Sequence, residues 1–160
     1  MTQRLAYNTV APGAVRPLME ATRYLRSSTT LEGTVLHLVN LRASQMNGCA
    51  FCIAMHWREA KEDGLTDDQI HGVAAWREAP WYSERERAAL AWTEAVTDVA
   101  RTHAPDEAYN EVRSSFSEKE VVDLTLAIST INAWNRFAIA FRTPPETAAG
   151  VLEQMKAMQR

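Results

Sequence analysis

Two cysteines and a histidine carry the most specific chemical signal in this sequence. Cys49 and Cys52 are the only cysteines among 160 residues, and His56 follows Cys52 by four positions. In a helix these residues lie at i, i+3 and i+7, so their side chains share one face. Asn47 and Gly48 form a turn signal just before them, which predicts that the cysteines lie in the first turn of a new helix. The pattern indicates a redox or metal site.

A helix start favours the reactive form of a cysteine. The thiolate is the nucleophile, and an unperturbed thiol with a pKa of about 8.5 is mostly protonated at neutral pH. The positive end of the helix dipole and a nearby histidine both favour the thiolate. A peroxide that oxidises one thiolate produces a sulfenic acid, which a neighbouring thiol converts to a disulfide. His56 is placed to supply the proton that the leaving oxygen needs.

The spacing of these residues alone leaves other interpretations open. Two cysteines three positions apart in a helix can be small apolar residues of the core. A structural zinc site needs four ligands, and beyond the cysteines the sequence offers only scattered histidines. His71 and His103 have no chemical neighbours, so we expect surface or capping roles for them. No glycine-rich phosphate loop, serine triad or carboxylate-rich metal set is present, and we expect no cofactor and no metal.

The composition is that of a globular protein with one domain over residues 1–160. Hydrophobic residues make up 46% of the chain and charged residues 23%, which are ordinary values. A net charge of −3 provides no basic surface for nucleic acid or for anionic membranes. The first ten residues lack the apolar core of a signal peptide, and no apolar run could span a bilayer. We therefore expect a cytoplasmic protein that binds neither nucleic acid nor membranes.

Nearly every periodic segment has helical spacing, so we predict an all-α fold of about seven helices. Ser83 with Glu86 and Ser117 with Glu120 match the capping box, and Gly64 is suited to a helix end. The predicted helices cover residues 12–26, 31–45, 49–63, 66–76, 83–102, 105–112 and 118–141, with a weaker one at 146–158.

The segment 118–141 is apolar on nearly all sides, which is typical of a helix buried in a core or a membrane. Asp123, Asn132, Asn135 and Arg136 argue against a membrane. We predict that this helix is central and that another subunit covers part of it. We also expect the two asparagines to make buried hydrogen bonds.

The stretch 41–56, LRASQMNGCAFCIAMH, closely resembles the core motif of the alkylhydroperoxidase D-like proteins in the carboxymuconolactone decarboxylase family. The resemblance continues in 75–80, 83–90 and 131–136, and together these segments cover most of residues 36–141. Members of this family are all-helical and assemble as trimers or hexamers. The resemblance therefore supports the all-α class and implies a homo-trimer or homo-hexamer.

The same resemblance implies a thiol-dependent peroxidase or disulfide reductase that acts on hydroperoxides. Cys52 matches the family's peroxide-attacking cysteine, Cys49 its resolving partner, and His56 the histidine that relays protons to the reactive thiol. The implied electron donor is a dithiol carrier such as a lipoyl domain or thioredoxin. Phe51 is a departure, because the best-studied members have a histidine at this place between the cysteines.

His37 is the most informative departure from the family pattern. The family relay usually includes a glutamate twelve positions before the first cysteine, and here that position is His37. An unperturbed histidine titrates at about 6.5, so His37 is a candidate base or hydrogen-bond partner in the relay. The alternative is an inert, hydrogen-bonded histidine. With histidines in the relay, we predict a peroxidase rate that falls as the pH drops below the histidine range.

Two further functions stay open beside the peroxidase. A decarboxylase or isomerase would follow the lactone-acting branch of the same family, although that chemistry needs no pair of thiols. A redox-sensing or structural oligomer would register oxidation through its thiols without turnover.

Overall fold

The computed structural model describes residues 2–157, and all regular structure in that part of the chain is helical. Met158, the predicted end of the last helix, lies outside the described residues. Two 3₁₀ helices, Gly72–Ala75 and Pro145–Thr147, lie between longer elements. The ten α-helices are α1 (Tyr7–Val10), α2 (Pro12–Ser27), α3 (Gly33–Asn47), α4 (Ala50–Glu62), α5 (Asp67–His71), α6 (Glu84–Thr97), α7 (Val99–Thr102), α8 (Asp106–Ser115), α9 (Glu118–Ala140) and α10 (Ala148–Ala157).

The predicted all-α class is confirmed, whereas the predicted number of about seven helices is too low. Eight of the observed α-helices correspond to predicted segments, including the weak one at the C-terminus. The other two are α1 and α7, which have four residues each. One turn is too short for apolar periodicity to become visible in a sequence. Asp98 separates α7 from α6, where the sequence predicted one continuous helix.

Local sequence signals set several helix boundaries. The predicted capping boxes at Ser83–Glu86 and Ser117–Glu120 are both present, and Thr66 begins a third one. In each box the side chains of the first and fourth residues bond to each other's backbone N–H groups, which are otherwise unpaired. Such caps contribute about 1 kcal/mol each to helix stability. The starts of α5, α6 and α9 are therefore determined locally.

The long helix α9 is central, as the sequence predicted. It packs against α2, α3, α4, α6 and α8, and ten of its residues are buried. Two large apolar side chains of the same helix, Val122 and Ile139, are instead 68% and 45% exposed. Within residues 2–157, no helix is both long enough and apolar enough to cross a membrane.

The cysteines lie where α3 and α4 meet α9 and α10. Gly48 ends α3 with a left-handed backbone, at a φ of 70°, and the next residue begins α4. A side chain at this φ would be strained, which explains the glycine. Both cysteines pack in an apolar cluster with Ile131 of α9 and Ala148 of α10. Three other helices, α3, α9 and α10, therefore hold the start of α4 in place.

Candidate active site

Cys49 and Cys52 form a disulfide at the N-terminus of α4. Cys49 is the N-cap residue, and its Sγ accepts a hydrogen bond from the backbone N–H of Cys52 at 3.3 Å. The prediction that the cysteines start a helix is confirmed. In the reduced protein, the unpaired N–H groups of the first turn favour a thiolate here.

Both cysteines are almost completely buried. Cys49 is 1% exposed and Cys52 2% exposed. They are covered by apolar side chains, among them Phe51 of α4 and Ala148 of α10. The disulfide therefore lies beneath the protein surface, in an apolar environment that strengthens electrostatic interactions with nearby groups.

His56 lies one turn after Cys52 on the same face of α4. Its imidazole is buried, and Nδ1 lies 2.6 Å from Oε2 of Glu59. The other carboxylate oxygen, Oε1, accepts a hydrogen bond from Nη2 of Arg26 on α2. The second ring nitrogen of His56, Nε2, is buried and has no hydrogen-bond partner within residues 2–157. Arg26, Glu59 and His56 thus form a hydrogen-bonded chain that ends at a free ring nitrogen.

The carboxylate of Glu59 is ionised despite its burial. Burial acts to raise its pKa, but the hydrogen bonds and positive charges of His56 and Arg26 outweigh that effect and lower the pKa to about 2. An ionised carboxylate can only accept hydrogen bonds. Nδ1 of His56 is therefore the donor, and a neutral His56 carries its lone pair on Nε2.

Sequence reasoning missed both Glu59 and Arg26. Glu59 follows His56 by three positions and Cys52 by seven, so the helical spacing that singled out the histidine could also have found this glutamate. Arg26 lies 33 positions earlier, on another helix. No local pattern connects it to the cysteines, because its contact with Glu59 depends on how α2 packs.

His37 lies outside this chain of hydrogen bonds. Its Nε2 is 2.7 Å from Oδ2 of Asp63, the residue that ends α4. Its Nδ1 is buried and has no hydrogen-bond partner in the described part of the chain. The structure therefore brings Cys49, Cys52 and His56 together on α4 and pairs His37 with Asp63. These contacts leave untested the relay role that the sequence predicted for His37.

Asparagine side chains hold the turn that precedes the cysteines, which confirms the predicted buried hydrogen bonds. Nδ2 of Asn47 donates to Oδ1 of Asn132 at 2.9 Å and to Oδ1 of Asn135 at 2.8 Å. Nδ2 of Asn135 donates in turn to Oγ of Ser44 at 3.1 Å. This network ties the end of α3 to α9, and so fixes the position of Cys49.

The remaining histidines lie away from the cysteines' apolar cluster. His71 ends α5 and His103 ends α7, and both are exposed, as the sequence predicted. Across residues 2–157, no group of three or more His, Cys, Asp or Glu side chains is arranged to hold a metal ion.

The pattern of the carboxymuconolactone decarboxylase family matches residues 12–95, which is more than half of the chain. The chain belongs to the carboxymuconolactone decarboxylase family. The matched residues run from the start of α2 into α6 and include Cys49, Cys52, His56 and both members of the Arg26–Glu59 pair.

Bacterial relatives extend this match beyond the family pattern. The uncharacterized protein YdfG of Bacillus subtilis (strain 168) is 41% identical over 140 residues, which are 88% of this chain and 95% of the relative. The uncharacterized protein YnjA of Escherichia coli (strain K12) is 29% identical over 129 residues, or 81% of this chain and 70% of the relative.

Solved structures show the same fold. ATU0492 from Agrobacterium tumefaciens, a protein of unknown function suggested to be the antioxidant defence protein AhpD, is 45% identical. Its TM-score is 0.86, and the match covers 89% of this chain and 97% of that one. The debrominase Bmp8, in complex with 2,3,4-tribromopyrrole, has a TM-score of 0.76 over 92% of this chain and 78% of its own. Its identity is only 16%, so this second likeness concerns the fold alone.

Proposed function

We propose that this protein is a thiol-dependent peroxidase that reduces hydroperoxides through Cys49 and Cys52, with His56 as the proton carrier. The observation that carries the proposal is a disulfide at the start of α4, one turn before a buried histidine with a free ring nitrogen. Family membership supports it, as does the suggested antioxidant role of ATU0492.

The first half of the reaction reduces the hydroperoxide. The Cys52 thiol transfers its proton to Nε2 of His56, and the thiolate attacks the terminal oxygen of ROOH. The S–O bond forms as the O–O bond breaks. The alkoxide takes the proton back from His56 and leaves as the alcohol ROH. Cys52 is now a sulfenic acid, oxidised by two electrons.

The second half closes the disulfide. The thiolate of Cys49 attacks the sulfur of the Cys52 sulfenic acid, and the hydroxide that leaves takes up the Cys49 proton to become water. The N–H of Cys52 points at Cys49 Sγ and stabilises that thiolate. Two thiols and ROOH thus become a disulfide, ROH and water.

A dithiol donor must then reduce the disulfide and is itself oxidised to a disulfide. In line with the family, we propose a lipoyl- or thioredoxin-type carrier for this step and a cytoplasmic location. A reducing compartment keeps such carriers in the dithiol form.

We also propose that the protein works as a homo-trimer or homo-hexamer. Val122 and Ile139 are large apolar residues that are exposed on α9, a helix with ten buried residues. Covering such side chains with a second copy removes apolar surface from water. Sedimentation equilibrium of the purified protein measures this assembly directly.

A turnover assay tests the proposed activity. Reduced protein is mixed with cumene hydroperoxide and dihydrolipoamide, and consumption of the hydroperoxide is followed. We expect turnover in the wild type and its loss in Cys52→Ser, because the attacking thiolate is gone. His56→Gln should slow the reaction by about 100-fold or more, since general acid–base catalysis contributes about 10²- to 10⁴-fold. His103→Gln, at an exposed histidine, is the matched control.

Two other results would assign a different function. A disulfide that forms stoichiometrically with peroxide but never turns over would identify a redox-sensing oligomer. Unreactive thiols together with lactone turnover would place the protein with the lactone-acting enzymes of its family.

A further inference from the structure

We infer that Glu59 is a positioning residue for His56, and that Arg26 determines which way Glu59 faces. Together they keep the histidine proton on Nδ1 and leave Nε2 as the atom that exchanges protons with the cysteines. This inference rests on the proposed function, because it assigns the state of the proton carrier in that reaction.

The three side chains are arranged for this task. Glu59 is buried and uses one oxygen for each neighbour, Oε2 for Nδ1 of His56 and Oε1 for Arg26. His56 and Glu59 lie on the same helix, three positions apart, so the backbone of α4 sets their separation. Arg26 reaches them from α2 and binds Oε1. His56 has the larger effect in keeping the buried carboxyl group ionised, and the charge and hydrogen bond of Arg26 add to it.

This arrangement leaves one nitrogen for chemistry. An imidazole whose Nδ1–H is held by a carboxylate has a fixed ring orientation and a fixed tautomer. The other nitrogen, Nε2, is buried and has no hydrogen-bond partner among the described residues. Nε2 is therefore the base that is free to take a proton from a thiol one turn earlier on α4.

The role of Arg26 makes the inference sharply testable. In Glu59→Gln the two carboxylate oxygens become one carbonyl oxygen and one NH₂ group. The guanidinium of Arg26 can only donate, so it will bind the carbonyl oxygen. The NH₂ group then faces Nδ1 of His56, which has to accept, and the imidazole proton moves to Nε2. Glu59→Gln, whose side chain has nearly the same shape as glutamate, thus places the proton on Nε2. This is the nitrogen that the reaction needs as a base.

Removing Arg26 as well should reverse this effect. In Arg26→Met with Glu59→Gln, nothing holds the carbonyl oxygen, so the amide is free to rotate and accept from Nδ1–H again. Arg26→Met alone keeps the carboxylate and its preference for Nδ1–H. The double variant should therefore be more active than Glu59→Gln. If the two residues had only structural roles, their effects on the rate would add, and the double variant would be slower than Glu59→Gln.

The proton is located by ¹⁵N NMR of reduced, ¹⁵N-histidine-labelled protein at a pH where the imidazole is neutral. We expect the proton on Nδ1 in the wild type, on Nε2 in Glu59→Gln, and back on Nδ1 in the double variant. Glu111→Gln, at an exposed glutamate of α8, is the control and should match the wild type.

Peroxidase turnover provides the second measurement. Glu59→Gln should lose about 10- to 100-fold in rate, the usual cost of losing a group that orients a functional histidine. The double variant should recover most of that loss. Glu59→Gln with the proton still on Nδ1, or a double variant no faster than Glu59→Gln, would overturn the inference.

The two measurements separate this inference from the proposed function. If the wild type consumes no hydroperoxide, the proposed peroxidase activity is wrong, and NMR still decides whether Glu59 and Arg26 set the tautomer. If the wild type turns over and the tautomer does not respond to Glu59→Gln, the activity stands and the inference fails.

Discussion

Nε2 of His37 lies 2.7 Å from Oδ2 of Asp63, so the histidine at the family's relay position is paired with a carboxylate at the end of α4. The carboxylate that contacts His56 is a different one, Glu59, which comes from α4 itself. The negative charge beside His56 is thus supplied by a residue three positions later on the same helix.

Replacement of His37 tests whether it takes part in catalysis. Because Glu59 already accepts from His56 Nδ1, we expect His37→Ala to keep the peroxidase rate within about twofold of the wild type. Turnover with dihydrolipoamide measures this, and His56→Ala is the comparison. A loss as large as that of His56→Ala would show that His37 belongs to the relay.

The stability of the protein should depend on pH through Glu59. Its pKa is lowered from 4.5 to about 2 in the folded protein, even though burial alone would raise it. A pKa below the unfolded value means that the ionised group stabilises the fold above about pH 4.5 and loses this contribution as the pH falls toward 2. At neutral pH the contribution is on the order of 3 kcal/mol.

Denaturant unfolding of oxidised wild type and Glu59→Gln, between pH 7 and pH 3, measures this dependence. The difference in free energy of unfolding between the two should shrink as the solution becomes more acidic. Glu111→Gln should give a difference that is flat over the same range. A flat difference for Glu59→Gln would show that its carboxylate is not stabilised in the folded protein.

Asn135 should contribute to stability through the turn before Cys49. It is completely buried and bonds to both Asn47 and Ser44. Asn135→Ala removes both bonds and leaves Oγ of Ser44 without its donor, while Asn47 keeps its bond to Asn132, and the loss should cost about 1–3 kcal/mol. The free energy of unfolding measures the loss, and Asn110→Ala, at an exposed asparagine of α8, should change it by less than about 0.5 kcal/mol. Equal effects of the two substitutions would contradict a structural role for the network.

Helix α10 should limit access to the disulfide. Both cysteines are buried, and Ala148 of α10 lies in the same apolar cluster. Leu152 is buried on α10, which packs against α4, so Leu152→Ala should loosen α10 by about 2–5 kcal/mol. Local opening would then expose the disulfide without global unfolding.

The rate of disulfide reduction by dithiothreitol measures this access. We expect Leu152→Ala to react at least tenfold faster than the wild type. Leu90→Ala, at a fully buried leucine of α6, destabilises the core elsewhere and is the control. Similar rates for the two variants would mean that the disulfide becomes accessible only by global unfolding.

Much of the local structure could be predicted from the sequence. Capping boxes at Ser83 and Ser117 and the helix end at Gly64 depend on residues within four positions of each other, and all three are present. Most helices were also long enough for their apolar periodicity to be recognised in the sequence. The one-turn helices α1 and α7 were not. The sequence correctly predicted buried hydrogen bonds for Asn135, but it did not identify their partners.

For the candidate site too, the features within one helix could be predicted from the sequence, and the contacts between helices could not. By itself, the sequence determined an all-helical chain whose Cys49, Cys52 and His56 share one face at the start of a helix, because this relationship follows from spacing along one element. Only the tertiary structure decided that Arg26 holds Glu59 and that His37 pairs with Asp63. Both contacts join different helices, so they depend on how those helices pack, and no spacing within one segment encodes that.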